Sequence, residues 1–354
     1  MLVTRRNTML GMLAATALPY VRTARAADSK PIRLVGAAPA PTPSLAYFYL
    51  NAPTHFDEKC GVKTEFTSVA GSVLATQLLA GGHGDIATLS PLDMMLMKQK
   101  QPDLPVRAVY KLDFVNGNDI TVPMASTVKT LADLKGKTIG VQGLASVTVA
   151  HAKALMRAAG VPADAYSIVA VGVGAQAAAA LKTDQVQALC LQRSQIGGLE
   201  NLGMEFRYFT PPGSSSIFVA SEDAIKNRRD DLVRALRSIT LSLIFAELNP
   251  TAAVNYFWGV SGQPNGDRDK ALHDGLHILG RNIELWKPVA DARPWGGIGD
   301  SDWKTILDFL GPDSGIDAAK LDYSKFYTAE LIPEINALDV SIATQAAKDW
   351  KAPV

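Results

Sequence analysis

Three sets of residues have the types and spacing that chemistry needs. Gly172-Val173-Gly174-Ala175-Gln176-Ala177 fits the G-x-G-x-x-A dinucleotide fingerprint between a strand-like and a helix-like stretch, and Arg193 follows near the place of a residue that selects NADP. An exported NADP-dependent oxidoreductase is therefore one reading. Against it, the fingerprint normally opens the first βαβ unit of its domain, whereas a strand and helix from Thr138 to Ala159 precede it here. No ribose-binding acid ends the next strand either. His273 and His277 are four apart on a helical stretch, but without a His-Glu-x-x-His pattern or a third ligand they read as a structural or surface pair. No Gly-x-Ser-x-Gly elbow, phosphate loop or Cys-x-x-Cys pair occurs. The expectation is a protein that binds without catalysing, with no cofactor and no metal.

The third set consists of polar residues just beyond strand-like runs. In open α/β sheets, ligands sit beyond the carboxyl ends of the strands, where helix N-termini supply unpaired N–H groups that favour anions. That rule selects Thr42 and Ser44, in the stiff loop Pro39-Ala40-Pro41-Thr42-Pro43-Ser44, and Tyr47 one turn further on. It also selects Ser72, Ser90, Gln142, Ser146, Thr148, Gln192 and Arg193. Each serine and threonine has an ordinary use as a helix cap as well. Arg193 stands apart, because its planar fork matches a carboxylate or sulfonate bidentately, and beyond its strand it is expected to contribute little to folding. Tyr47, Phe114 and Trp295 could stack on a ligand or simply pack, and Trp295 lies in the glycine-rich loop Arg293-Pro294-Trp295-Gly296-Gly297-Ile298-Gly299.

The elements that must position these residues alternate between strand and helix, as parallel sheets built of βαβ units do. Strands are predicted at Pro31–Ala37, Val62–Val69, Asp85–Leu89, Thr138–Val141, Tyr166–Val171 and Val186–Leu191. Helices are predicted at Leu45–Lys59, Ser72–Ala80, Ser146–Ala159 and Ala175–Leu181. After Pro211-Pro212-Gly213 a strand at Ser216–Ala220 leads into long helical stretches, Asp230–Leu248 and Thr251–Trp258.

Ahead of all this stands an address. Arg5-Arg6, an apolar run from Met9 to Leu18 and the small-residue site Ala24-Arg25-Ala26 form a leader expected to be cleaved before Ala27, with Thr4-Arg5-Arg6-Asn7-Thr8-Met9-Leu10 resembling a twin-arginine signal. The run is shorter than the roughly 20 residues that span a bilayer. No cysteine lies near Ala26 to carry a lipid, so a periplasmic location is expected. The 35 basic residues nearly balance 34 acidic ones, and the leader holds Arg5, Arg6, Arg22 and Arg25 but no acid, so the remainder is slightly acidic. That argues against nucleic acid or an anionic membrane as partner. Cys60 and Cys190 fall in different parts of the chain and are expected to stay unpaired.

Five motifs in order then carry a family resemblance. They are Gly71-Ser72; Leu79-Ala80-Gly81-Gly82-His83-Gly84-Asp85-Ile86-Ala87; Leu131-Ala132-Asp133-Leu134-Lys135-Gly136-Lys137-Thr138-Ile139-Gly140-Val141; Ala177 to Ala188; and Ile217-Phe218-Val219-Ala220-Ser221 with Asp231-Leu232-Val233. This series resembles the ABC-importer binding proteins for sulfonates, taurine, nitrate and thiamine-pyrimidine precursors, the NMT1-like family. It departs from that pattern at Asp184 and Gln187, where the family usually shows Gly and Asp. The resemblance implies a type II periplasmic binding protein with two α/β lobes, each a doubly wound, mostly parallel sheet, and a ligand clamped between them. Residues 27–122 plus 213–354 would form lobe one and 123–212 lobe two, with crossings near Thr121–Ala125 and Pro211–Ser215. It further implies a monomer that captures a small molecule, an anion by the pocket's chemistry, and passes it to an ABC permease with a cytoplasmic ATPase. Leu134-Lys135-Gly136-Lys137 also occurs in TRAP-associated receptors, but those place a Gly-Ser-Gly loop after the next strand, and Gly143-Leu144-Ala145-Ser146 lacks it. A thiamine-precursor synthase on this fold would need a histidine and a cysteine cluster that the chain does not have.

Overall fold

A computed structural model describes residues 30–38, 40–286, 294–318 and 321–352; the leader, Pro39 and Arg293 lie outside the described residues. Among the described residues ten strands form two sheets of five: β1 (Ile32–Gly36), β2 (Thr64–Ser68), β3 (Ile86–Leu89), β4 (Val106–Lys111), β5 (Asn118–Pro123), β6 (Thr138–Val141), β7 (Ser167–Ala170), β8 (Ala188–Gln192), β9 (Phe206–Phe209) and β10 (Ile217–Ser221). The order is β2-β1-β3-β10-β4 in the first sheet and β7-β6-β8-β5-β9 in the second. In each sheet the strand that follows a crossing runs antiparallel to both neighbours: β10 against β3 and β4, β5 against β8 and β9. The outward crossing is residues 112–117, ahead of the predicted Thr121–Ala125, because β5 pairs with β8 from Asn118 onward. The return runs through 210–216.

The helices are α1 (Asn51–Thr54), α2 (Phe56–Cys60), α3 (Ser72–Ala80), α4 (Pro91–Lys100), α5 (Val147–Ala158), α6 (Ala175–Lys182), α7 (Arg193–Glu200), α8 (Glu222–Asn227), α9 (Arg229–Leu248), α10 (Pro250–Ser261), α11 (Arg268–Trp286), α12 (Asp300–Ser314), α13 (Ile332–Asn336) and α14 (Ser341–Asp349). The single helix predicted over Leu45–Lys59 is instead a 3-10 turn at Pro43–Phe48 followed by α1 and α2. Pro53 is the cause: it has no N–H to bond Tyr49, and its ring would strike that carbonyl. The chain then turns at His55, whose φ is 57°.

Each sheet is covered on both faces, so its strands bury alternate residues in two cores. In β10, Phe218 and Ala220 join Ile32, Leu34, Tyr47 and the long helix α9 on one side. Ile217 and Val219 join Val35, Ala87, Leu89 and Trp303 of α12 on the other. In β8, Ala188 and Cys190 face the core under α5, while Leu189 and Leu191 face α6 and α7. Cys190 is therefore buried in the second sheet, whereas Cys60 ends α2 beside the first; both are free thiols. Among the described residues no helix is long and apolar enough to cross a membrane.

The sheets do not stand alone. Helix α7 of the second sheet packs on α11, where the Glu200 carboxylate accepts from Arg281 Nε and Nη2 at 2.8 Å each, from His277 Nε2 at 2.7 Å and from Tyr208 Oη at 2.9 Å. Helix α5 packs on α12, with Arg157 Nε donating to Asp313 at 2.7 Å. His277 is thus engaged by Glu200 rather than paired with exposed His273.

Candidate functional site

The carboxyl ends of the strands and the two crossings enclose a cleft with two adjoining chambers, of about 110 and 360 Å3. They share Ala37, Thr88, Asn118, Gln192, Ser215 and Ser216. Four helices of eight or more residues begin at its walls, α3 and α4 from the first sheet, α5 and α7 from the second. The first turn of a helix leaves its N–H groups without intrahelical partners and carries the positive end of the dipole. Ser90 and Ser146 cap α4 and α5, accepting from Asp93 N and Thr148 N. Ser72 opens α3 and takes the Ser90 N–H at 3.2 Å, tying two of these helix starts together.

Of the residues selected from sequence, the cleft brings together seven. Ser44, Tyr47, Gln192 and Arg193 line the smaller chamber; Ser72, Ser90, Ser146 and again Gln192 line the larger. Thr42 is exposed and hydrogen-bonds Ser44 at 2.5 Å. Gln142 is exposed and accepts from Gln195. Thr148 is buried behind Ser146, to which its hydroxyl bonds at 3.0 Å. Trp295 packs on the core of the first sheet, its backbone bracketed by Asn336, and stays out of both chambers. Its loop is held by Gly296, with φ at 75° and no room for a side chain against Tyr110. Gly297 to Gly299 line a separate cavity of about 490 Å3 together with Phe114, Asp113 and the Lys111–Asp302 ion pair at 2.6 Å.

Arg193 departs from expectation. Its fork is filled by Asp119 of β5, with Nε to Oδ2 at 2.9 Å and Nη2 to Oδ1 at 2.7 Å, while Thr210 accepts from Nη2 at 2.9 Å. The guanidinium also lies over the Tyr208 ring. Both partners are buried, Asp119 completely, so the arginine is a structural ion pair at the cleft wall rather than an open fork beyond the strand. Opposed by burial, Asp119 still holds its pKa above the ordinary arginine range.

The crossings also supply cleft side chains that were not among the residues selected from sequence. Asp113 lines the smaller chamber at 3% exposure and accepts from Ser215 Oγ. Burial pushes its pKa up to about 6, against the serine hydroxyls of Ser215 and Ser216 and the more distant charge of Arg193. Asn116 and Asn118 point their amide nitrogens at His151 Nε2, 3.4 Å from each, while His151 Nδ1 reaches Val147 O at 2.9 Å. Polar side chains within Asn116-Gly117-Asn118-Asp119 and Ser214-Ser215-Ser216 were the available signal, but such runs read as turns.

The dinucleotide fingerprint sits after β7, an edge strand, and the Gln176 side chain closes over Gly172, 2.1 Å from where a Cβ would be. Among the described residues no group of three His, Cys, Asp or Glu side chains is arranged for a metal.

Solved structures with this architecture include the aliphatic sulphonate binding protein SsuA of Escherichia coli, 14% identical, with a TM-score of 0.66 over 85% of this chain and 98% of that one. The alkanesulfonate-binding SsuA of Xanthomonas axonopodis pv. citri, bound to MOPS, is 16% identical, with a TM-score of 0.60 over 86% and 100%. The putative sulfonate-binding SsuA of Methylobacillus flagellatus is 17% identical, with 0.62 over 86% and 93%. Among curated proteins none matches the chain in sequence. The profile of the NMT1/THI5-like family matches residues 42–253, well over half of the sequence and all of the cleft-forming helix starts and crossings named above, and the chain belongs to that family.

Proposed function

We propose that this protein is an extracytoplasmic solute-binding protein that delivers a small organic or inorganic anion to an ABC importer and catalyses nothing. The observation that carries this reading is the convergence of four helix N-termini, two from each sheet, on one cleft at the crossings. Such ends favour an anion without any free cation, and closure about two crossings is how a two-lobed fold reports occupancy to a partner. The three neighbours are described as sulfonate-binding proteins, one of them as part of an ABC transporter, and share the fold. Residues 1–26 would direct export to the periplasm, and the two lobes would meet the permease together as a monomer.

Thermal melting of the mature protein against sulfonates, carboxylates, nitrate and pyrimidines tests the reading. A true ligand at one hundred times its dissociation constant stabilises the native state by about 2.7 kcal/mol. At least one sulfonate or carboxylate is expected to raise the melting temperature; a response confined to neutral pyrimidines would remove the anion from the proposal.

A further inference from the structure

The charges around the cleft do not balance in the way a simple anion site would. Among the described residues Arg193 is the one basic residue lining either chamber, and Asp119 neutralises it bidentately. Two acids line the chambers as well, Asp93 in the larger and Asp113 in the smaller. Asp93 is accounted for by its place in the first turn of α4, where an acid is favoured. Asp113 has no such place. It lies in a crossing, buried, with serine hydroxyls for company and, among the described residues, no lysine or arginine within ion-pair distance. Beside it Asn118, which lines both chambers, spends its amide nitrogen on Asn116 and His151 and leaves its buried Oδ1 without a hydrogen-bond partner. A buried acceptor left unpaired is costly, and a buried uncompensated carboxylate more so. Two such acceptors at one wall ask for a ligand that donates.

We propose that Asp113 determines the specificity of the cleft, and that the solute carries an amino-type donor or cation facing Asp113 and Asn118 in addition to an acid group facing the helix N-termini. The assignment rests on the solute-binding reading above. The donor end occupies the smaller chamber, where Tyr47 and Asn282 complete the wall, and the acid end occupies the larger, among Ser72, Ser90 and Ser146. A ligand of net zero charge then meets a cleft whose own Arg193–Asp119 pair is already neutral.

The probes are two matched pairs, 3-aminopropanesulfonate with propanesulfonate and 3-aminopropanoate with propanoate, titrated calorimetrically into the mature protein. At pH 7.5 the amine-bearing member of at least one pair is expected to bind ten-fold or more tightly than its partner. Asp113→Asn keeps the shape and the bond from Ser215, and should erase that preference while leaving the amine-free member as tight or tighter. In the wild type the preference should shrink as pH falls through about 6, where Asp113 takes up a proton. The charged groups facing Asp113 are Arg193 of α7, with Asp119 of β5 and Glu284 of α11 on its far side; Lys111 across the other cavity is held by Asp302. Tyr47 is kept neutral by burial. Equal binding of both members by the wild type, or a preference that survives Asp113→Asn in a variant that melts normally, overturns this assignment alone. Binding of none of the four counts against the anion reading beneath it.

Discussion

Arg193 illustrates how much a side chain's role depends on a neighbour far away in sequence. Its position after a buried strand was legible, and so was its reach to the cleft, but its partner Asp119 stands 74 residues earlier on an antiparallel neighbour. Nothing in the local sequence announces that β5 turns back to lie beside β8. The consequence for stability is opposite to that of an arginine beyond the strand. Arg193→Ala leaves a fully buried carboxylate without its cation, which typically costs about 3–5 kcal/mol. Arg193→Lys should recover part of this, since a single ammonium cannot fill both oxygens as the fork does. Urea unfolding of the ligand-free variants measures the loss; an Arg193→Ala protein as stable as the wild type would mean that Asp119 finds water or another partner.

At the scale of elements, the βαβ rhythm made most strands and helices readable, because both-face burial writes continuous apolar runs and each helix ends in a glycine or a polar turn. Elements without that signature escaped. Strand β9, Phe-Arg-Tyr-Phe, is short and half-buried, and what looked like one helix is broken ahead of α1 by Pro53 and between α1 and α2 by the left-handed His55. The packing of α7 on α11 was equally invisible, since it rests on Glu200 meeting residues 77 and 81 positions away. Those bonds tie the second sheet's layer to the first through a carboxylate whose pKa Arg281, His277 and Tyr208 together hold below the usual range despite its partial burial. Glu200→Gln keeps the size but gives up the charge-assisted pair, and charge-assisted hydrogen bonds contribute about 1.5–3 kcal/mol. If the contact governs closure, the ligand-free variant should be more open, with a larger radius of gyration by small-angle X-ray scattering and weaker binding of the screened ligand. An unchanged radius would confine Glu200 to local packing.

For the whole molecule, the crossings join sheets, cleft and hinge, and they hold two buried groups whose titrations oppose each other. Burial lowers the pKa of His151 from 6.5 to about 4, against the hydrogen bond to Val147 O, which raises it. The unfolded chain therefore binds more protons there between pH 6.5 and 4, so this group makes stability fall on acidification. Asp113, raised from 3.8 to about 6, does the reverse: the folded state holds the extra proton between those values, so stability falls as pH rises through them. At 1.36 kcal/mol per pH unit each contribution amounts to about 3 kcal/mol, and in the wild type they largely cancel. Substitution separates them. Relative to wild type, Asp113→Asn should lose stability steadily from pH 6.5 down to 4, with only the histidine penalty left. His151→Gln should instead gain on acidification across nearly the same interval, as the carboxyl takes its proton. Chemical unfolding of the three proteins at half-unit steps gives the differences directly, and common surface carboxylates drop out of the comparison. Parallel pH profiles for all three would mean that neither group is as dry as the crossings make it.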